Sequence, residues 1–140
     1  MDGKKILIAG IAGGILLFVA QFVFSLAGNL VAPYNIFSIG GMRQANDPLM
    51  ALFYAYPFVL SFMAALVFDR VKTALAGTCC GGADFGLILI ALVAVPGVFV
   101  IFSSMPYPPG FYIGNILFGI IGFPLAGLLY ARIWKLGTGP

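Results

Sequence analysis

The chain has 140 residues, 62% of them hydrophobic and 8% charged, with a net charge of +3. A soluble domain carries about 25% charged residues, and one this apolar would expose patches large enough to aggregate. Lipid is the solvent that fits, and seven Lys/Arg placed singly or in pairs between apolar runs offer no surface for nucleic acid.

Behind a head carrying Lys4 and Lys5, Ile6 to Leu26 is uncharged for 21 residues. At 1.5 Å per residue this crosses a hydrocarbon layer of about 30 Å. Lys4 and Lys5 also suit the n-region of a signal peptide, and Ser25-Leu26-Ala27 a cleavage site. A signal's apolar run is shorter, about 7–15 residues, so the pattern predicts an uncleaved first span over about 6–28. Gly10, Gly14, Gln21 and Gly28 share one face of it, with Ser25 at the edge. Gly10 and Gly14 form a GxxxG pair, which suits a homodimer contact or packing inside the bundle.

Asn29 to Pro48 reads as the longest polar connection, with an apolar middle from Tyr34 to Ile39 expected at the membrane interface. Asn46 or Asp47 is placed to cap the next helix, with Pro48 in its first turn. The second span is predicted over about 49–68, containing Tyr54 and Tyr56, bent at Pro57 and ending at Asp69-Arg70. A second loop holds Lys72, Cys79 and Cys80. The third span, about 85–104, has Asp84 just before it and Pro96-Gly97 in its middle. Met105 to Gly110, MPYPPG, is a turn whose prolines forbid helix continuation.

The fourth span, about 112–134, is interrupted by Pro124 and ends in Arg132, Trp134 and Lys135, with Trp134 expected at headgroup level. Asn115, Gly119, Gly122 and Ala126 fall on one narrow face, a groove of small residues with an amide at its end. In lipid such a groove lets another backbone approach closely, so this span is expected to be the packing spine. The predicted fold is all-α: a four-helix transmembrane bundle forming one domain over 1–140. Lys4, Lys5, Arg70, Lys72, Arg132 and Lys135 fall on one side and only Arg43 on the other. The positive-inside rule then puts both termini in the cytoplasm of a cell-membrane protein.

Catalytic patterns are lacking. General acid–base work usually recruits His or a carboxylate pair, and the chain has no His and no Glu. The predicted topology separates Asp47 from Asp2, Asp69 and Asp84. Asp69 and Asp84 read as helix-end residues; if any carboxylate has a function, Asp84 beside its Gly-rich turn is the better placed. A metal site wants three or four ligands, and Cys79-Cys80 supplies two. A redox pair usually has two residues between its cysteines. Acylation of the juxtamembrane thiols and a plain loop role both remain open. An ion path normally shows an ionisable residue facing the bundle interior, and none lies in a span core. Gln21 and Asn115 are expected either to hydrogen-bond to neighbouring helices or to line a path for a neutral or anionic solute. Outside, Tyr34, Phe37, Met42, Arg43, Met105, Tyr107 and Phe111 suit a protein contact or an interfacial anchoring belt equally. The two halves show no inverted repeat.

Gly82-Ala83-Asp84-Phe85-Gly86-Leu87, the mid-span Pro96 and the Met105-Pro106-Tyr107-Pro108 turn together resemble small prokaryotic four-span integral membrane proteins of uncharacterised function. The resemblance implies a fold and no activity, and it transfers no functional residue. The expected role is a non-catalytic membrane component without a cofactor: a self-associating bundle or a small accessory subunit of a larger complex. The alternative is a transporter or channel for a neutral, apolar or anionic solute or lipid. Membrane lipid is the expected surrounding in either case.

Overall fold

The structure, a computed structural model, describes residues 2–41, 43–76 and 80–136. These residues are helical apart from their connections, and they contain no strand. Helix α1 runs over Gly3–Val31 and α2 over Met50–Leu75. The third span, Gly81–Ser104, comprises α3 (Gly81–Leu89), one wide π-type turn at Ile90–Ala94, and α4 (Val95–Ser104). The fourth, Pro109–Trp134, repeats that plan with α5 (Pro109–Leu117), a wide turn at Phe118–Gly122, and α6 (Phe123–Trp134). All four spans are long and apolar enough to cross a membrane.

The wide turns have a common cause. Pro96 and Pro124 each lack an N–H, and each ring crowds the carbonyl four residues earlier. Letting out one turn just before the proline relieves the clash while the helix continues.

The helices extend past the predicted hydrocarbon limits. α1 begins at Gly3 rather than near residue 6, because the Asp2 carboxylate accepts the Lys5 N–H at 3.2 Å. It stops at Val31, since the residue before Pro33 is pushed out of helical geometry. α2 continues through Asp69, Arg70 and Lys72 to Leu75, because charged side chains leave membrane hydrocarbon without ending a helix. α3 starts at Gly81, so Asp84 sits in its first turn rather than before it. Ahead of α2 the Asp47 carboxylate takes the Leu49 N–H at 2.9 Å and Arg43 Nη1 at 2.7 Å. The helix itself starts at Met50 behind Leu49 without a side-chain cap, so neither Asn46 nor Asp47 caps it and Pro48 lies before its first turn. The hydrogen bond from Arg43, then that from Leu49, lowers the Asp47 pKa below its ordinary value.

α1 packs against α2, α5 and α6, and α3 packs chiefly on α6. The fourth span is the most enclosed and the third the least. Small residues set these approaches. A Cβ on Gly127 would run into the Gly82 carbonyl and lie 3.0 Å from the Gly86 nitrogen; one on Gly114 would lie 2.9 Å from the Phe24 carbonyl oxygen. The outward faces are the greasy ones: Leu7, Ile11, Ile15, Val19, Phe22 and Leu30 of α1 are all exposed. Small residues inside and large apolar residues outside suit a bundle solvated by lipid.

The two ends of the bundle are built differently. At the end carrying the termini, Phe68, Phe85 and Tyr130 are fully buried and Trp134 nearly so. Their rings meet edge to face or tilted, at 5.0 Å for Phe68–Phe85 and 5.3 Å for Phe68–Trp134. Behind them Ser61 Oγ lies 2.8 Å from the Tyr130 hydroxyl and 3.3 Å from the Ala9 carbonyl oxygen, a buried polar link joining α1, α2 and α6. At the other end, α4 has no buried residue at all.

Candidate functional site

The loosely packed end encloses a cavity of about 600 Å³, within the usual size of a small-molecule site, about 300–1,000 Å³. All four spans contribute walls. Phe18, Gln21, Phe22 and Ser25 come from α1, and Phe53, Tyr54, Tyr56 and Pro57 from α2. Gly97, Val98 and Ile101 come from α4, and Phe111, Asn115 and Phe118 from the fourth span. Among the other spans α4 packs on α5 and makes little contact with α2, so the wall between Phe53–Pro57 and Gly97–Ile101 is the one least closed by helix packing.

The first loop folds over the mouth. Tyr34, Ile36 and Phe37 line the cavity from the short 3-10 turn Ile36–Ser38. This cover is held by named bonds: the Tyr34 N–H donates to Asn29 Oδ1 at 2.9 Å, and the Tyr34 hydroxyl lies 3.1 Å from Ser25 Oγ. The Tyr34 ring also meets Phe111 edge to face at 6.2 Å. Asn35 Oδ1 accepts the Phe37 N–H and thereby starts the turn. A second turn closes the same end, where the Tyr112 hydroxyl donates to the Met105 carbonyl at 2.6 Å. On the inner side Phe118 and Phe123 meet edge to face at 5.3 Å, next to the packed aromatic end.

The expected site residues divide into two groups. Gly10 and Gly14 do not form a free seam: a Cβ on Gly10 would meet the Phe62 ring, and one on Gly14 the Phe58 ring. Gly119 faces Ala94, with 2.7 Å from its would-be Cβ to the Ala94 methyl. Gly122 lies beside Phe118 and Ala20, and Ala126 is wholly buried. These five are used up by packing within the chain. Gln21, Ser25 and Asn115 instead line the cavity.

The amides depart from the expectation of bonds to neighbouring helices. Asn115 Nδ2 donates to the Phe111 carbonyl of its own helix at 2.8 Å, and the Gln21 amide makes no hydrogen bond to any described residue. The reason is the α1–α5 seam. Gly28, Gly110 and Gly114 bring the two backbones together, and that contact leaves Gln21 and Asn115 facing the gap beside it.

Asp84 is half-buried in the first turn of α3 and does not line the cavity. Cys80 is exposed at the start of α3, and Cys79, like Met42, lies outside the described residues. Among the described residues no three His, Cys, Asp or Glu are grouped to hold a metal ion.

One expectation is corrected at the other end. Asp69 is no solvated helix-end residue: its side chain is 3% exposed, and Oδ1 accepts Trp134 Nε1–H at 3.0 Å and Lys72 Nζ at 2.5 Å. Trp134 is accordingly buried between helices. Its indole also lies under the Lys72 ammonium, 5.9 Å from the ring centre. Satisfying the carboxylate and the indole N–H together lets both sit inside, with the partly exposed Lys72 ammonium at the rim.

Fold and site define a class: a four-span helical bundle consistent with a multi-pass membrane protein, carrying a cavity lined by uncharged residues. No known family model matches the chain, and neither a curated protein nor a solved structure does.

Proposed function

We propose that the protein is a non-catalytic component of a prokaryotic-type cell membrane that holds a small lipid-soluble molecule in its cavity. The observation that carries this reading is the sparse packing between α2 and α4 along one wall of the cavity, which offers a way in from the side. A molecule dissolved in the bilayer enters such a cavity without crossing water. The packed aromatic end favours a one-ended site over a channel, because no described opening of the cavity reaches that end.

Gly97 provides the test. It lines the cavity, and a Cβ added there would meet nothing within 4 Å. Gly97→Leu should therefore obstruct the site while leaving the bundle intact. Native mass measurement of the wild-type protein from mild detergent should show a stoichiometric non-protein adduct that organic solvent removes. Its occupancy should fall at least about tenfold in Gly97→Leu, which corresponds to about 1.4 kcal/mol. An adduct unchanged by Gly97→Leu would mean that the ligand sits elsewhere.

A small accessory subunit of a larger complex is the second reading. It is favoured by α4, whose apolar residues Val95, Phe99 and Phe102 are exposed, Phe102 meeting the Tyr112 ring edge to face at 5.5 Å. Stoichiometric foreign chains in the same measurement would support it.

Both readings place the termini in the cytoplasm, following the sorting of Lys and Arg. In that orientation the cavity lies in the outer leaflet. Ala45→Cys, in a chain that also carries Cys79→Ser and Cys80→Ser, should react with an impermeant maleimide added outside intact cells. Labelling only after the cells are broken would reverse the orientation.

A further inference from the structure

We infer that the cavity selects an uncharged, single-chain amphiphile whose head carries a hydroxyl or carbonyl group, and that Gln21 is the residue that reads the head. The inference rests on the reading of the cavity as a ligand site and narrows it to one chemical class.

Size comes first. One water's share of liquid volume is about 30 Å³, so a cavity of about 600 Å³ takes roughly twenty non-hydrogen atoms. That is one long chain with a small head, and less than a two-chain phospholipid. Charge comes second. None of the lining residues is Asp, Lys or Arg, and the one cation near this end, Arg43, is paired with Asp47 at 2.7 Å. A carboxylate or phosphate drawn into these walls would lose its water and find no countercharge, a loss far larger than hydroxyl or carbonyl groups incur.

Placement comes third. The amides and Ser25 lie on the α1–α5 side of the cavity, beneath the first loop, while α2 adds the phenol hydroxyls of Tyr54 and Tyr56 on its own wall. Ser25 and Tyr34 already bond to each other, and Asn115 has given one N–H to Phe111. Gln21 keeps a free carbonyl and a free NH₂, and Asn115 keeps its Oδ1. Together they match a head that both donates and accepts, such as a hydroxyl, or a hydroxyl next to an ester. Across from them the wall is Val93, Ala94, Gly97, Val98 and Ile101, next to the sparse packing between α2 and α4. The ligand's head thus lies under the loop, and its chain runs toward that sparsely packed wall.

The experiment uses the full chain in nanodiscs and four probes with eighteen-carbon chains: monooleoylglycerol, oleate, oleoyl lysophosphatidylglycerol and octadecene. Wild type should bind monooleoylglycerol one to one, at least about tenfold tighter than either charged probe or octadecene. Gln21→Leu should bring monooleoylglycerol down to the level of octadecene while octadecene binding persists. Asn115→Leu, which breaks no bond between helices, should lower the same preference in part. Gly97→Leu should remove binding of all four. Charged probes binding as well as monooleoylglycerol, or a preference that survives Gln21→Leu, would overturn the inference and leave the cavity reading standing. Binding untouched by Gly97→Leu would instead overturn the cavity reading itself.

Discussion

Gly127→Leu should cost the protein its fold, so that mild detergent yields little or no monodisperse material. At this point α3 and α6 touch through their backbones. A Cβ on Gly127 would overlap the Gly82 carbonyl and lie 3.0 Å from the Gly86 nitrogen, and one on Gly82 would lie 2.7 Å from the Gly127 carbonyl oxygen. An overpacked core usually costs about 1–3 kcal/mol because side chains can turn aside. Here the obstacle is peptide backbone on both sides, so the helices must part. That would also disturb Phe85 and Tyr130, whose rings lie 6.2 Å apart across the same seam. A loss above about 3 kcal/mol is a large share of the 5–15 kcal/mol that holds a typical domain together. Gly97→Leu is the internal control, the same chemical change where a Cβ meets nothing. It should elute and melt like wild type. A Gly127→Leu protein with wild-type elution and melting would show that α3 and α6 do not meet at this seam.

The four spans were legible because length and polarity alone separate them from their connections. The tightest seam, between Gly82 and Gly127, was not read from the sequence. Gly82 and Gly86 have the same GxxxG spacing as Gly10 and Gly14, but Gly82 stands in what reads as a loop. Only a helix that begins at Gly81 puts the pair on one face. The cavity had partial signals. Gln21 and Asn115 stood out as amides in apolar runs, yet sequence could not tell an amide bonded to a neighbour from one facing a gap. That choice is made by Gly28, Gly110 and Gly114, which draw α1 and α5 together beside them. The cover formed by Tyr34, Ile36 and Phe37 was readable only as an apolar stretch near an interface. Asp69 and Trp134 carried no signal at all. They are 65 positions apart, and each taken alone has an ordinary reading at a membrane surface.

That last pair should produce the second large effect. Asp69→Ala removes the acceptor of the Trp134 indole N–H and the anion beside Lys72 at one stroke. Water does not readily replace it, since the Asp69 side chain is 3% exposed, although Lys72 at 32% can turn outward. Deleting one member of a fully buried pair costs about 3–5 kcal/mol. The mobility of Lys72 brings the expected loss to about 3 kcal/mol, most of it from the stranded indole and the missing tie between α2 and α6. Asp69→Asn keeps an oxygen for the indole and should lose only about 1 kcal/mol, the ordinary worth of a weakened hydrogen bond. Trp134 is the only tryptophan in the chain, so its fluorescence reports on this spot alone. In Asp69→Ala the emission should move to the red and become open to a water-soluble quencher, and the melting temperature in detergent should fall. In Asp69→Asn both readings should lie close to wild type. Trp134→Phe supplies the other corner of a double-mutant cycle: with the indole N–H already gone, Asp69→Ala should cost clearly less. Equal losses from Asp69→Ala in the wild-type chain and in the chain carrying Trp134→Phe would mean that the carboxylate and the indole are not coupled, and that α2 and α6 are held together by their rings.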